Sequence, residues 1–268
     1  MRGVRISVAV AWTIIAVVAV AAFFPGLLAH QSPIEGDVVH KLSAPSADHW
    51  FGTDYLGRDV WSRVVHGTSV SLRATVIAVA IAFGVGSLLG LVAGYVGGRV
   101  DAVIMRVVDV MLAIPTLLLS LAIVAALGFG ATNVAVAVGV ASIASFARLT
   151  RSEVLRIRTM SYVEAASALG VTRTGVLARH VLPNAIGPAL VLSALEFGSA
   201  ILAVSALSFL GYGEPPPAPE WGKVVAEGRD YLAVAWWTVL LPSLVISAVA
   251  LSANRLSRAY DDRGAPTS

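Results

Sequence analysis

Apolar residues gather along this chain in long runs, and charged residues fall almost entirely in the gaps between them. The runs lie at residues 6–29, 74–97, 103–127, 132–150, 186–211 and 233–254. Each supplies the roughly 20 apolar residues that a helix needs to cross a bilayer. The pattern predicts an all-α membrane protein with six transmembrane helices. Residues 1–69 then form an anchor span with an extracytoplasmic segment. Residues 70–255 form a five-span core with a cytoplasmic loop at 151–185, and residues 256–268 a cytoplasmic tail. Arg2 and Arg5 ahead of the first run also suit a signal peptide. The apolar part of such a peptide is only about 7–15 residues, shorter than this run, so a retained span is expected.

Composition agrees with the pattern. Hydrophobic residues make up 57% of the chain and charged residues 13%, against roughly a quarter charged in a soluble domain. The net charge of +3 does not indicate nucleic acid, because the arginines sit in loops and no basic stripe is interleaved with base-stacking aromatics. Cysteine is absent, which removes disulfides and thiolate metal sites from consideration.

Charge does set orientation. The 151–185 loop carries Arg151, Arg156, Arg158, Arg173 and Arg179 against Glu153 and Glu164. Residues 30–69 are acidic on balance, with Glu35, Asp37, Asp48, Asp54 and Asp59 against Lys41, Arg58 and Arg63. Residues 212–231 are also acidic, Glu214, Glu220, Glu227 and Asp230 outnumbering Lys223 and Arg229. Six spans with both termini cytoplasmic place the basic loop inside and both acidic segments outside, as the positive-inside rule requires.

Within the spans, Gly86, Gly90, Gly94 and Gly98 recur every fourth residue and predict one helix face packed closely against another helix. Arg106 and Asp109, three apart on the third span, are expected to pair. Glu196 has no evident partner in sequence and is a candidate intramembrane polar site, for an ion, a proton or an interhelical hydrogen bond.

The basic loop contains SYVEAASALG, residues 161–170. Ser161 and Glu164 have the spacing of a capping box. Ala165, Ala166 and Ala168 favour helix, and Gly170 suits a left-handed stop. A helix of about ten residues, roughly 15 Å, cannot span a membrane and is marginal alone. It needs a surface to rest on. Tyr162, Ala166 and Leu169, with Val163 alongside, predict an apolar stripe suited to a protein cleft or, failing that, to lipid headgroups. A second short helix is expected over 172–180, and Leu182 and Pro183 open the fifth span.

The stretch EAASALGVTRTGVLARHVLP resembles the EAA loop of permease subunits of bacterial ABC importers, with Glu164, Ala165, Ala166, Gly170 and Pro183 matching it in place. FGTDYLGRDVWSRVVHG (51–67), LVAGYVGGRVDAVIMRVVDVMLAIP (91–115) and SFLGYGEPPPAPEWGKVVAEGR (208–229) resemble the dipeptide/oligopeptide/nickel permease group, in particular its C-type subunit. The resemblance implies a type I ABC importer permease fold in the bacterial cytoplasmic (inner) membrane. It implies that residues 161–170 are a coupling helix docked on a separate ATPase. No G-x-x-x-x-G-K-[ST] phosphate loop occurs here, so ATP and Mg belong to partner chains and this chain is not an enzyme. The implied partners are a second homologous permease, two ABC ATPases and an extracytoplasmic substrate-binding protein. The implied cargo is a di- or oligopeptide, the alternative being nickel, haem or another delivered ligand. A different class, an ion-coupled secondary transporter using Glu196 and Asp109, would show repeated halves with paired broken helices, and no such repeat is evident.

The chain departs from that group's pattern at Tyr55, where a polar residue is usual, and at Val204, where an acid is common, while Glu196 stands where relatives are apolar. His49, Asp54, Asp59 and His66 could in principle ligate a divalent cation, but Asp/His spacing without thiolates is unspecific and no metal is expected.

Overall fold

The computed structural model describes residues 2–264. Ten helices follow in order: α1 Arg2–Phe23, α2 Val60–Val96, α3 Gly98–Ala113, α4 Thr116–Leu127, α5 Ala131–Arg158, α6 Ser161–Ala168, α7 Arg173–Val176, α8 Leu182–Phe209, α9 Trp221–Gly228 and α10 Trp237–Gly264. A π-helical turn, Leu177–Val181, joins α7 to α8. Five rods are long and apolar enough to cross a membrane: α1, α2, α5, the α7–α8 rod and α10. The pair α3–α4 makes a sixth crossing only as a bent unit, with 98° between its halves.

That bend corrects the expectation of one continuous third span over 103–127. Pro115 lacks an amide hydrogen and drives the preceding residue out of the helical region. Ile114 accordingly adopts φ −97°, ψ 131°, and α4 restarts at Thr116. The second span also differs, since α2 begins at Val60 and not near residue 74. At 1.5 Å per residue its 37 residues extend about 55 Å, well beyond a ~30 Å hydrocarbon core. Arg63 and His66, which interrupt the apolar run in sequence, sit in the first turns of the same helix.

The packing between α2 and α5 forms the centre of the bundle. A Cβ on Gly86 would lie 2.6 Å from the Ile143 carbonyl oxygen, and one on Gly90 2.4 Å from that of Ala147. One on Gly94 would meet Val154 at 2.9 Å, so hydrogen at these three positions is what lets the backbones approach. Gly98 is not part of this ladder. Its φ is +58° and nothing lies within 4 Å of its Cβ direction; it opens α3 after the chain turns at Gly97. Buried Ala74, Ala78, Val134, Ala135 and Val138 continue the core toward α8 through Ala200, Val204 and Leu207. The departure at Val204 therefore places an apolar side chain in an apolar core. Helices α1 and α10 close the bundle on the other side, through Val18, Ile201, Ile246, Val249 and Ala250.

Candidate functional site

Two ends of the bundle carry polar chemistry. At one, α6 and α7 fill the connection between α5 and α8. Helix α6 runs Ser161–Ala168, and Met160, not a serine, takes the N-cap position without a side-chain hydrogen bond. The predicted capping box is not formed. Ser161 is already inside the first turn, where the amides of Val163 and Glu164 both reach the Met160 carbonyl, so its hydroxyl is not placed to accept from the third amide. The C-terminal stop is as expected: Gly170 has φ +84°. The amide of Val171 returns to the Ala166 carbonyl at 3.2 Å, the six-to-one bond of a Schellman ending.

The apolar stripe divides into two faces. Val163 and Ala166 are buried; Val163 packs with Val154, Ile157, Val176, Val181 and Ala185. Tyr162 and Leu169 point away, at 44% and 86% exposure, so they do not share one face with buried Ala166 as the i, i+4, i+7 spacing predicts. The exposed face consists instead of Tyr162, Ala165 and Leu169, with Glu164 beside them. The Tyr162 ring leans toward His180, 6.2 Å between centroids. The base of this unit is tied to α2: Arg158 donates to the Gly94 carbonyl at 2.6 Å, and the Tyr95 hydroxyl donates to the Arg173 carbonyl. Thr172 caps α7 by accepting from the Gly175 amide. Leu182 and Pro183 begin α8 as expected, although the π turn makes α7 and α8 one continuous rod. Helix α6 thus rests on the ends of α5 and α8, while α5 and α7 hold the unit to α2.

Arginine–aspartate pairs fasten α3 to α5. Arg151 binds Asp101 through Nε and Nη2 at 2.5 and 2.6 Å, and Arg148 binds Asp109 at 2.5 Å. The expected Arg106–Asp109 pair does not form. Asp109 is oriented toward the arginines of α5, whereas Arg106 is exposed on α3 and has no ion pair among the described residues. Tertiary packing supplied a better partner than helical spacing did. Glu196 lies half-buried on α8 and lines a small cavity with Ser142, Ala82 and Ala200, without a cation beside it among the described residues.

The opposite end is organised by a buried ion network that sequence reasoning missed. Arg58 donates to Asp54 and Glu227, each at 2.7 Å, and Arg63 donates to the same two oxygens, each at 2.6 Å. The network joins the 30–59 segment, α2 and α9. Burial opposes the charge on Arg58, but Asp54 and Glu227 outweigh it and hold the guanidinium above its ordinary value. Tyr55, the departure from the family pattern, stacks on Tyr231 at 5.3 Å and lies under Arg58. Asp59 caps α2 by accepting from the Ser62 amide at 2.6 Å and also meets His49 at 2.9 Å. His66 bonds to the Ser62 carbonyl. Of the four candidate metal ligands, His49 and Asp59 meet each other, Asp54 is held by Arg58 and Arg63, and His66 bonds within its own helix; no group of three His, Asp or Glu gathers among the described residues.

Behind this network Glu220 is fully buried, and neither carboxylate oxygen meets a hydrogen-bond donor at bonding geometry. Burial pushes its carboxyl up to about 7; the Ser208 hydroxyl and the Glu214 amide, both close by, offset this only in part. A Cβ on Gly213 would lie 2.3 Å from Glu220 Oε2, so glycine there makes room for the carboxylate.

Residues 86–264 match the family model described as the binding-protein-dependent transport system inner membrane component. The chain is 42% identical to the dipeptide transport system permease protein DppC of Alkalihalophilus pseudofirmus, over 90% of this chain and 79% of that one. It is 41% identical to the probable D,D-dipeptide transport system permease protein DdpC of Escherichia coli, over 95% of this chain and 85% of that one. Among solved structures it superimposes on a chain of an amino acid ABC transporter with histidines, with a TM-score of 0.58 and 18% identity over 75% of this chain and 94% of that one. The MetNI methionine ABC transporter gives 0.56 and 19% over 74% and 95%; both likenesses concern the fold. With its apolar rods, its glycine-packed centre and these matches together, the chain belongs to the family of binding-protein-dependent transport system inner membrane components, as a multi-pass permease of the inner membrane.

Proposed function

We propose that this chain is the permease subunit through which a binding-protein-dependent ABC importer admits di- or oligopeptides. The observation that carries the cargo is the identity of 42% and 41% to two permeases named for dipeptides, across nine-tenths of the chain or more. Helix α6 is the coupling helix. Its exposed Tyr162, Ala165 and Leu169 enter a groove of a separate ATPase, and its buried Val163 conveys the push to α5 and α8. Both termini and the basic 151–185 stretch face the cytoplasm, which its five arginines against two glutamates support. A second, homologous permease completes the pathway, two ATPases bind ATP and Mg, and a binding protein delivers cargo to the face made partly by residues 30–69 and 212–231. The chain itself performs no chemistry. It contributes two bundle arrangements whose relative stability the ATPases shift.

The test is isolation of the tagged chain from its native membranes in mild detergent, with mass spectrometry of what accompanies it and uptake of labelled dialanine by the recovered assembly in liposomes. A Walker-motif ATPase, a second permease and a binding protein in the eluate, with ATP-dependent dialanine uptake, are the expected result. A chain recovered alone from membranes that contain a candidate ATPase overturns the importer assembly. A complete assembly that carries no peptide overturns the cargo.

A further inference from the structure

Beside the network at the outer end, α2, the start of α5 and the 210–220 loop enclose an open cleft of about 170 Å³. It is open to solvent and roomy enough for several waters, so one end of a short peptide can enter it. Its walls combine apolar Val70, Ala74 and Ile77 with polar Thr132 and two opposite charges, Arg73 and Glu214. The charges do not neutralise each other. Arg73 is exposed and makes no ion pair or hydrogen bond among the described residues. Glu214 is positioned by bonds that leave its charge unpaired: its Oε2 accepts from the Ala131 amide at 3.1 Å, and its backbone carbonyl accepts from Lys223 Nζ at 2.9 Å. No cation forms a salt bridge with its carboxylate among the described residues.

An arginine and a glutamate that line one cleft without pairing suit a ligand carrying both charges at separate ends. A zwitterionic peptide is such a ligand, and the termini of an extended dipeptide are about 7 Å apart. The guanidinium is the side chain best matched to a carboxylate, while Glu214 retains Oε1 for an ammonium. We propose that this cleft is a peptide-terminus subsite on the translocation route, where Arg73 receives the carboxylate and Glu214 the α-ammonium of a short peptide. The inference rests on the peptide-import reading and adds to it a place where this chain touches the cargo.

The experiment uses the complete transporter in liposomes with its binding protein and dialanine. At sub-saturating dialanine, Arg73→Gln is expected to lower import about tenfold, the factor carried by one charge-assisted hydrogen bond, and Arg73→Lys to recover most of it. Because the chain has no cysteine, Thr132→Cys introduces its single thiol into the cleft. Dialanine delivered by the binding protein should slow modification of that thiol severalfold, and Arg73→Gln should abolish the protection. Unchanged import by Arg73→Gln, or a labelling rate indifferent to dialanine in a transporter that imports it, overturns the subsite. A wild-type transporter that imports no dialanine instead overturns the peptide reading itself.

Discussion

Replacing Glu220 by glutamine tests how the end of the molecule between α8 and α9 is held together. The residue is the N-cap of α9 and has no exposed surface, and both its oxygens lack donors at bonding geometry. Its carboxyl is pushed from 4.5 up to about 7, chiefly by burial. A shift of that size corresponds to about 3 kcal/mol. Because the folded state holds the proton more tightly, the folded chain binds more protons than the unfolded one between about pH 4.5 and 7. Stability therefore falls as pH rises through that window, and the full penalty stands above pH 7. Glu220→Gln keeps the shape and removes the ionisation. In thermal unfolding of the detergent-solubilised protein, the variant should match the wild type at pH 4.5. At pH 8 its apparent Tm should be higher by roughly 6–12 °C, at about 2–4 °C per kcal/mol for a chain of this size. Equal pH slopes in the two proteins, or a variant less stable than the wild type at pH 8, would refute the assignment of a carboxylate whose burial outweighs its neighbours.

Gly90→Leu should abolish accumulation of folded protein in membranes, because a Cβ there already meets the Ala147 carbonyl at 2.4 Å. Gly84→Ala on the same helix, with nothing within 4 Å, should be tolerated; blotting of membrane fractions separates the two. Arg63→Met should cost about 3–5 kcal/mol by leaving Asp54 and Glu227 short of a cation in a buried network, measured as the loss of Tm at pH 7. Gly170→Asp, at φ +84° beside the exposed face of α6, should leave the protein inserted but uncouple import from ATP hydrolysis; normal import at matched expression would contradict the role given to α6.

Much of the architecture was legible from the order of residues because lipid imposes a strong one-dimensional rule. A helix that crosses hydrocarbon must be apolar for about 20 residues, so six runs could be located in the sequence, although neither the break at Pro115 nor the start of α2 at Val60 could be read from them. The glycine ladder at Gly86, Gly90 and Gly94 was readable for a similar reason, since a four-residue period marks one helix face. The left-handed stop at Gly170 is likewise a local backbone property, and the short helix it ends was recognisable without knowing its surroundings.

Partnership between side chains was decided only by the tertiary structure. Asp109 and Arg106 are close in sequence, yet Asp109 found Arg148, 39 residues away, because α3 lies along α5. Arg58 and Arg63 met Glu227 across more than 160 residues, when α9 folded back on α2. The faces of α6 were assigned by what lies behind it: Val163 turned into the cluster at the end of α5, and Leu169 did not. The burial that raises Glu220, and the cleft that Arg73 and Glu214 share, are properties of enclosed space. Periodicity reports the direction a side chain leaves its own helix; only the packing of the other helices determines what it meets there.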